Sequence, residues 1–204
     1  MIVSVLKQTS PERITVIFDT GEETKTTLSA VTEQRLFVGR ELDAVEYEEF
    51  VQLSARALGR EKALEYISRR RMSRRELVNK LREKGEDDAV AEYCAEWLES
   101  RGFIDDASYS CAIVRHYAAK GYGEGRIRQE LNRRGISKDL WDDALKELSA
   151  YDGRLDKLIA SKLKDPSDKD QIRKLSASLY RRGYSWEDIR SALERFGTDT
   201  EDEI

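Results

Sequence analysis

Residues 82–106 read Arg82-Glu-Lys-Gly-Glu-Asp-Asp-Ala-Val-Ala-Glu-Tyr-Cys-Ala-Glu-Trp-Leu-Glu-Ser-Arg-Gly-Phe-Ile-Asp-Asp106. Lys84-Gly85 closes one helix, because a cation suits the last turn and glycine takes the left-handed position that follows it. An acidic amphipathic helix is predicted from about Asp88 to Ser100, with Val90, Ala91, Cys94, Trp97 and Leu98 turned inward. Gly102-Phe-Ile-Asp-Asp106 then leads into the next helix. The same order returns around Gly135 and around Gly183, which makes this a repeat protein.

With the three glycines in register, the position four before is Leu81, Leu131 and Leu179, and eight before is Leu77, Ile127 and Leu175. One before is Lys84, Arg134 and Arg182; six after is Ala91, Trp141 and Ile189; ten after is Ala95, Leu145 and Leu193. The spacing predicts three helices per unit and a period of about fifty residues. Repeat one covers 59–105, repeat two 106–149, and repeat three 150–204 with an acidic tail from Gly197. In repeat one Ala63, Leu64 and Ile67 share a face of the first helix, and Ser73 to Glu76 is a capping box for the second.

Residues 1–58 differ. Residues 2–6 alternate apolar and polar, Arg13-Ile-Thr-Val-Ile-Phe18 is β-branched or aromatic, and Asp19-Thr-Gly-Glu22 supplies a turn before Thr24 to Leu28. These features predict a small antiparallel meander. Ala30 to Leu36 reads as a short helix, and Asp43 with Glu46 caps the next. Three strands do not stand alone in water, so the meander must pack on helices, those of the first repeat being nearest in sequence. The fold class is mainly α: tandem three-helix repeats in an elongated curved array, with a small N-terminal β meander.

Of 204 residues 37% are charged, only two are proline and twelve are glycine, a helical composition. No apolar run approaches the length of a membrane span, so a soluble, cytoplasmic protein without membrane contact is expected. Cys94 and Cys111 lie among apolar helix positions with only His116 as an imidazole partner; they read as reduced core thiols rather than metal ligands.

Net charge is -4, but the charge is sorted by helix. Residues 56–84 hold 11 Lys or Arg against 4 Glu, whereas 85–112 hold 8 acids against one Arg. The alternation continues to the end of the chain. Oppositely charged helices pairing along solvated edges account for part of this. They account poorly for Arg69, Arg70, Arg71, Arg74 and Arg75, five like charges within seven residues. Together with Arg115, Lys120, Arg126, Arg128, Arg133, Arg134, Lys169, Arg173 and Lys174, these are the candidate binding residues, suited to a phosphate backbone or an acidic protein groove.

Lys120-Gly-Tyr-Gly-Glu-Gly-Arg-Ile127 precedes a helix, but no strand leads into it and no Gly-Lys-Ser/Thr follows. It reads as a flexible inter-helix turn rather than a phosphate loop. No Ser-His-Asp or Cys-His set falls on one site, so no enzyme, cofactor or metal is expected. Trp97 and Trp141 fall on inward positions, while Trp186, beside the capping-type Ser185, is expected to be more exposed and available to stack on bases.

Gly102-Phe-Ile-Asp-Asp106 with Tyr109, and Lys120-Gly-Tyr-Gly-Glu-Gly-Arg-Ile-Arg-Gln-Glu-Leu-Asn-Arg-Arg-Gly-Ile136, resemble the central signature of the RecX family, regulators of the RecA recombinase. Val38-Gly-Arg-Glu-Leu-Asp43 resembles an N-terminal extension found in part of that family. The resemblance implies a non-enzymatic modulator, working as a monomer, that lodges in the groove of the RecA nucleoprotein filament. It would restrain filament extension, ATP hydrolysis, strand exchange and stimulated repressor cleavage in DNA repair and the SOS response. Some members also touch single- or double-stranded DNA directly. The chain departs from the family pattern at Arg69 to Met72, where a proline is common, and at Glu86, where an aromatic or aliphatic residue is. A stand-alone nucleic-acid-binding module, of helix-turn-helix type, is the alternative, and an adaptor for an acidic protein surface is a third.

Overall fold

A computed structural model describes residues 1–198. The chain divides into two compact units: Met1–Met72 with Glu76–Ile104, and Ser73–Arg75 with the residues from Asp105 on.

In the first unit, β1 (Val3–Ser10), β2 (Arg13–Phe18) and β3 (Glu23–Thr27) form an antiparallel sheet in that order, with Val3 opposite Phe18 and Arg13 opposite Thr27. Gly21, at φ +88°, makes the turn between β2 and β3. Helix α1 (Leu28–Glu33) is capped by Thr27, whose hydroxyl accepts from the Ala30 amide. The capping box expected at Asp43 and Glu46 is present and opens α2 (Ala44–Arg69).

Helix α2 runs unbroken for 26 residues, where the sequence suggests one helix ending and a repeat beginning near Gly59. Its first half presents Phe50 and Tyr47 to Phe18, with ring centroids 6.2 and 5.1 Å away, and completes a core of Val3, Ile14, Val16, Val31, Leu36 and Leu42. Its second half gives Ala63 to a separate core with Leu77, Leu81, Ala91, Cys94 and Leu98. The sheet therefore packs on the helix that leads into repeat one rather than on that repeat's own core. Gly59 is here a point of close approach, not a breaker: a Cβ would stand 2.8 Å from Val90 Cγ1 and 2.9 Å from Cys94 Sγ.

Helices α3 (Arg74–Glu83) and α4 (Asp88–Glu99) complete repeat one, joined through Gly85 at φ +86°. Leu64, expected inward with Ala63 and Ile67, is exposed; Val90 and Trp97 are half-buried against the core. Glu86, where the chain departs from the family pattern, is ion-paired to Lys62 with its side chain mostly enclosed.

The second unit holds α5 (Asp106–Ala119), α6 (Glu124–Arg133), α7 (Trp141–Leu145), α8 (Arg154–Lys162), α9 (Lys169–Arg181) and α10 (Trp186–Arg195). Two cores follow the repeats: Tyr109, Ile113, Val114, Ile127, Leu131 and Trp141 in one, and Ile159, Ile172, Leu175, Leu179, Ile189 and Leu193 in the other. The third helix of repeat two is not continuous: 3-10 segments at Lys138–Leu140 and Lys146–Tyr151 flank α7. Leu145, Leu148 and Tyr151 are spaced by three and pack on the same core, a spacing that three residues per turn keeps on one line. Among the described residues, no helix is long and apolar enough to cross a membrane.

Candidate basic interface

The candidate residues differ in how far the fold already uses them. In the first unit Arg69 ends α2, Arg70 and Arg71 follow it in the segment before α3, and all three are exposed. Arg69 contacts Glu65 one turn back at 2.5 Å, a pair open to solvent that contributes little, and Arg70 reaches the half-buried Glu76 at 3.1 Å.

In the second unit Ser73, Arg74 and Arg75 belong to a joint. The Ser73 hydroxyl donates to the Arg134 carbonyl, the Arg74 amide donates to Asp106 Oδ1 at 2.9 Å, and the Arg75 stem lies against Gly135. A Cβ on Gly135 would meet Arg75 Cδ at 2.5 Å. Arg75 itself is exposed and Arg74 half-buried.

A second joint occupies the glycine-rich stretch. The Gly123 amide donates to the Arg182 carbonyl and the Gly125 amide to the Gly183 carbonyl, both at 2.9 Å. The Arg182 guanidinium lies over the Tyr122 ring at 5.8 Å, and the Tyr184 hydroxyl reaches the Gly121 carbonyl at 3.4 Å. The segment expected to be a flexible turn is thus a clamped seam. Two of the amides that a helix N-terminus offers to an anion are already taken by carbonyls of the turn that follows α9.

Glu130 organises the basic residues of α6. Its carboxylate is buried and accepts from Arg133 Nε at 2.9 Å and Nη2 at 2.5 Å, and from Arg134 Nε at 2.7 Å. Those bonds, Arg133's first, outweigh the cost of burial and hold the carboxyl down to about 2 from 4.5. Arg134 also donates to the Tyr109 hydroxyl and lies over its ring at 5.6 Å. Arg133 keeps an exposed side chain, whereas Arg134 is mostly enclosed.

The remaining candidates are surface groups. Arg128 pairs with Glu124 at 2.7 Å and Asp142 at 3.8 Å, Arg115 with Glu147 at 3.2 Å, and Arg173 with Asp170 at 2.8 Å. Arg126 contacts Gln129. Lys120, Arg126, Lys169 and Lys174 are exposed. In repeat one, Arg82 spans to Asp88 at 2.7 Å and Glu92 at 3.3 Å. Part of the sequence's charge alternation is therefore consumed inside repeats, where second helices pair with third.

Trp141 is buried and its indole N–H donates to the Ile136 carbonyl. Trp97 lies between Arg60 and Arg101, at 5.4 and 4.4 Å from its ring. Cys94 is buried, and loss of water around the thiol pushes it up to about 11, an inert core group. Sequence reasoning passed over Arg181 and Tyr180. Both are exposed beside the second joint, and the repeat register, which places them two and three positions before Gly183, was the signal available.

Family models describing the first, second and third three-helix domains of RecX match residues 60–98, 105–145 and 154–193. The regulatory protein RecX of Vibrio parahaemolyticus is 36% identical over 138 residues, spanning 66% of this chain and 88% of the relative. A solved structure described as regulatory protein RecX superposes with a TM-score of 0.70 at 24% identity, covering 95% of this chain and 98% of the other. RecX from Lactobacillus salivarius does so with a TM-score of 0.59 at 24% identity, covering 70% and 97%. These two superpositions show the fold, and the matches along the sequence show the lineage: the chain belongs to the RecX family.

Proposed function

We propose that this protein is a non-enzymatic regulator of the RecA recombinase, most simply an inhibitor. It lodges in the groove of the RecA filament on single-stranded DNA and restrains ATP hydrolysis, strand exchange and coprotease activity. The chain is divided for this purpose into an N-terminal segment, 1–58, and repeats at 59–105, 106–149 and 150–204. The binding residues are the arginines at 69–71, 74 and 75, with Arg115, Lys120, Arg126, Arg128, Arg133, Arg134, Lys169, Arg173 and Lys174 extending the basic surface. Family membership supports the class of function. The observation that carries the choice of surface is the exposure of Arg69, Arg70, Arg71 and Arg75 in a run whose mutual repulsion an anionic partner relieves.

The test is RecA-catalysed, single-stranded-DNA-dependent ATP hydrolysis with and without the protein. Stoichiometric protein lowers the rate; an unchanged rate and an unchanged filament sink the reading. Reversing the charge of Arg70 and Arg71 abolishes the effect while the circular dichroism and melting of the protein stay close to the parent. Retained inhibition moves the contact to the basic residues of the second unit.

A further inference from the structure

Tyr180, in the last turn of α9, and Trp186, in the first turn of α10, stack face to face on the outside of repeat three. Their ring centroids are 4.7 Å apart and their planes 14° from parallel, with 52% and 40% of the two residues exposed. They stand three before and three after Gly183. The same two register positions are Arg82 and Asp88 in repeat one, which form an ion pair at 2.7 Å, and Asn132 and Lys138 in repeat two. The helix–turn–helix therefore has no structural need of aromatic residues there. Repeat three alone exchanges a polar bridge for two flat apolar rings open to solvent.

Cations lie beside the Tyr180 side of the stack. Tyr180 lines an open cleft of about 630 Å³ together with Arg181, Tyr184, Arg126, Arg128 and Gln129. Its two carboxylates are already engaged: Glu124 accepts from Arg128 Nε at 2.7 Å, and Asp188 from the Ser185 hydroxyl at 2.6 Å. Arg190 is one turn beyond Trp186 on α10, and Arg173 is two turns before Tyr180 on α9, so each shares a helix face with its aromatic residue.

We propose that Tyr180 and Trp186 form a stacking platform for the unpaired bases of single-stranded nucleic acid, with Arg126 and Arg181 holding the phosphates. Base pairs in a duplex keep their faces covered, so the platform discriminates for single strands, whereas the cations alone bind either form. An acidic peptide would use the cations and leave the flat rings without a role. This site goes beyond regulation of a recombinase and is tested without one.

The experiment measures binding of the full chain to oligothymidylate and to a duplex of equal length, by anisotropy and by tryptophan emission. The parent prefers the single strand, which quenches its emission. Tyr180→Arg with Trp186→Asp rebuilds the ion pair of repeat one, each charge at the helix end that favours it, and so removes the platform while keeping the turn. This double variant loses about tenfold or more in affinity for oligothymidylate and changes little toward duplex. Trp186→Phe keeps most of the affinity and loses the quench, which separates Trp186 from Trp97 and Trp141. Undiminished single-strand affinity in the double variant overturns the proposal. So does a parent that binds duplex equally well, or one that takes an acidic peptide but no oligothymidylate. A parent that slows RecA yet fails to bind the oligonucleotide ends this proposal and leaves the regulator reading intact.

Discussion

The N-termini of α3 and α6 rest on the same kind of surface by different chemistry. Each meets the C-terminal turn of another second helix, and the contacting residues stand twelve and ten positions before the repeat glycine in both cases: Ser73 and Arg75 at α3, Gly123 and Gly125 at α6. At α3 the contact is made by side chains, a hydroxyl to the Arg134 carbonyl and an arginine stem over Gly135. At α6 backbone meets backbone, and a Cβ on Gly123 would lie 2.5 Å from the Gly183 carbonyl carbon. A side-chain joint yields by changing rotamer. A backbone joint yields only by moving a helix. The third second helix, α9, is thirteen residues long against ten for α3 and α6, and its N-terminus is capped locally by Asp168, which accepts from the Gln171 amide.

The comparison breaks most visibly at Gly183. An alanine there combines a φ of +90° with a Cβ 2.2 Å from the Arg126 amide nitrogen, so Gly183→Ala costs about 4 kcal/mol or more and separates repeat three from the rest of the second unit. Gly85→Ala, at φ +86° with nothing near its Cβ, costs only the backbone strain of about 1–2 kcal/mol. Thermal melting of the two variants measures the difference directly, and equal losses would show that the seam contributes nothing.

Glu130→Gln comes next, because it loosens the arginine whose carbonyl receives Ser73. Losing the buried carboxylate shared by an exposed Arg133 and a mostly enclosed Arg134 costs about 2 kcal/mol in urea denaturation near neutral pH. The carboxyl's folded value lies below its unfolded one, so its contribution is complete above about pH 4.5 and fades as pH falls toward 2. Parent stability therefore drops across that window by more than that of the variant. Parallel curves would remove Glu130 from the account. The smallest effect is Ser73→Ala, about 1 kcal/mol for one hydroxyl-to-carbonyl bond in a joint that can adjust.

The repeat register was legible because it is local. Leu81, Leu131, Leu179, Leu77, Ile127 and Leu175 are all buried as their spacing requires, and the caps at Asp43 and the left-handed glycines at 85, 135 and 183 fall where short-range chemistry puts them. Gly59, Gly123 and Gly125 were not legible in the same way. A glycine that breaks a helix, one that loosens a loop and one that admits a close neighbour look alike in sequence, and only Val90, or Arg182 some sixty residues on, distinguishes them. Charge behaved similarly. The sorting of basic and acidic segments was visible, but which arginines the fold consumes was not: Arg134 turns inward to Glu130 and Tyr109 while its neighbour Arg133 stays exposed. The acidic tail noted at the C-terminus lies mostly outside the described residues.

One consequence of the glycine seam is spectroscopic. The amides of Gly123 and Gly125 are bonded to carbonyls of the next repeat, not to their own helix, so their exchange with deuterated solvent is governed by how often the two repeats part. The rest of α6 can remain fully helical while these two protons wash out. Their exchange rates, set against those of the α6 interior, give a clock for repeat separation in the free protein, and its slowing on a filament or an oligonucleotide would time how a partner holds the repeats together.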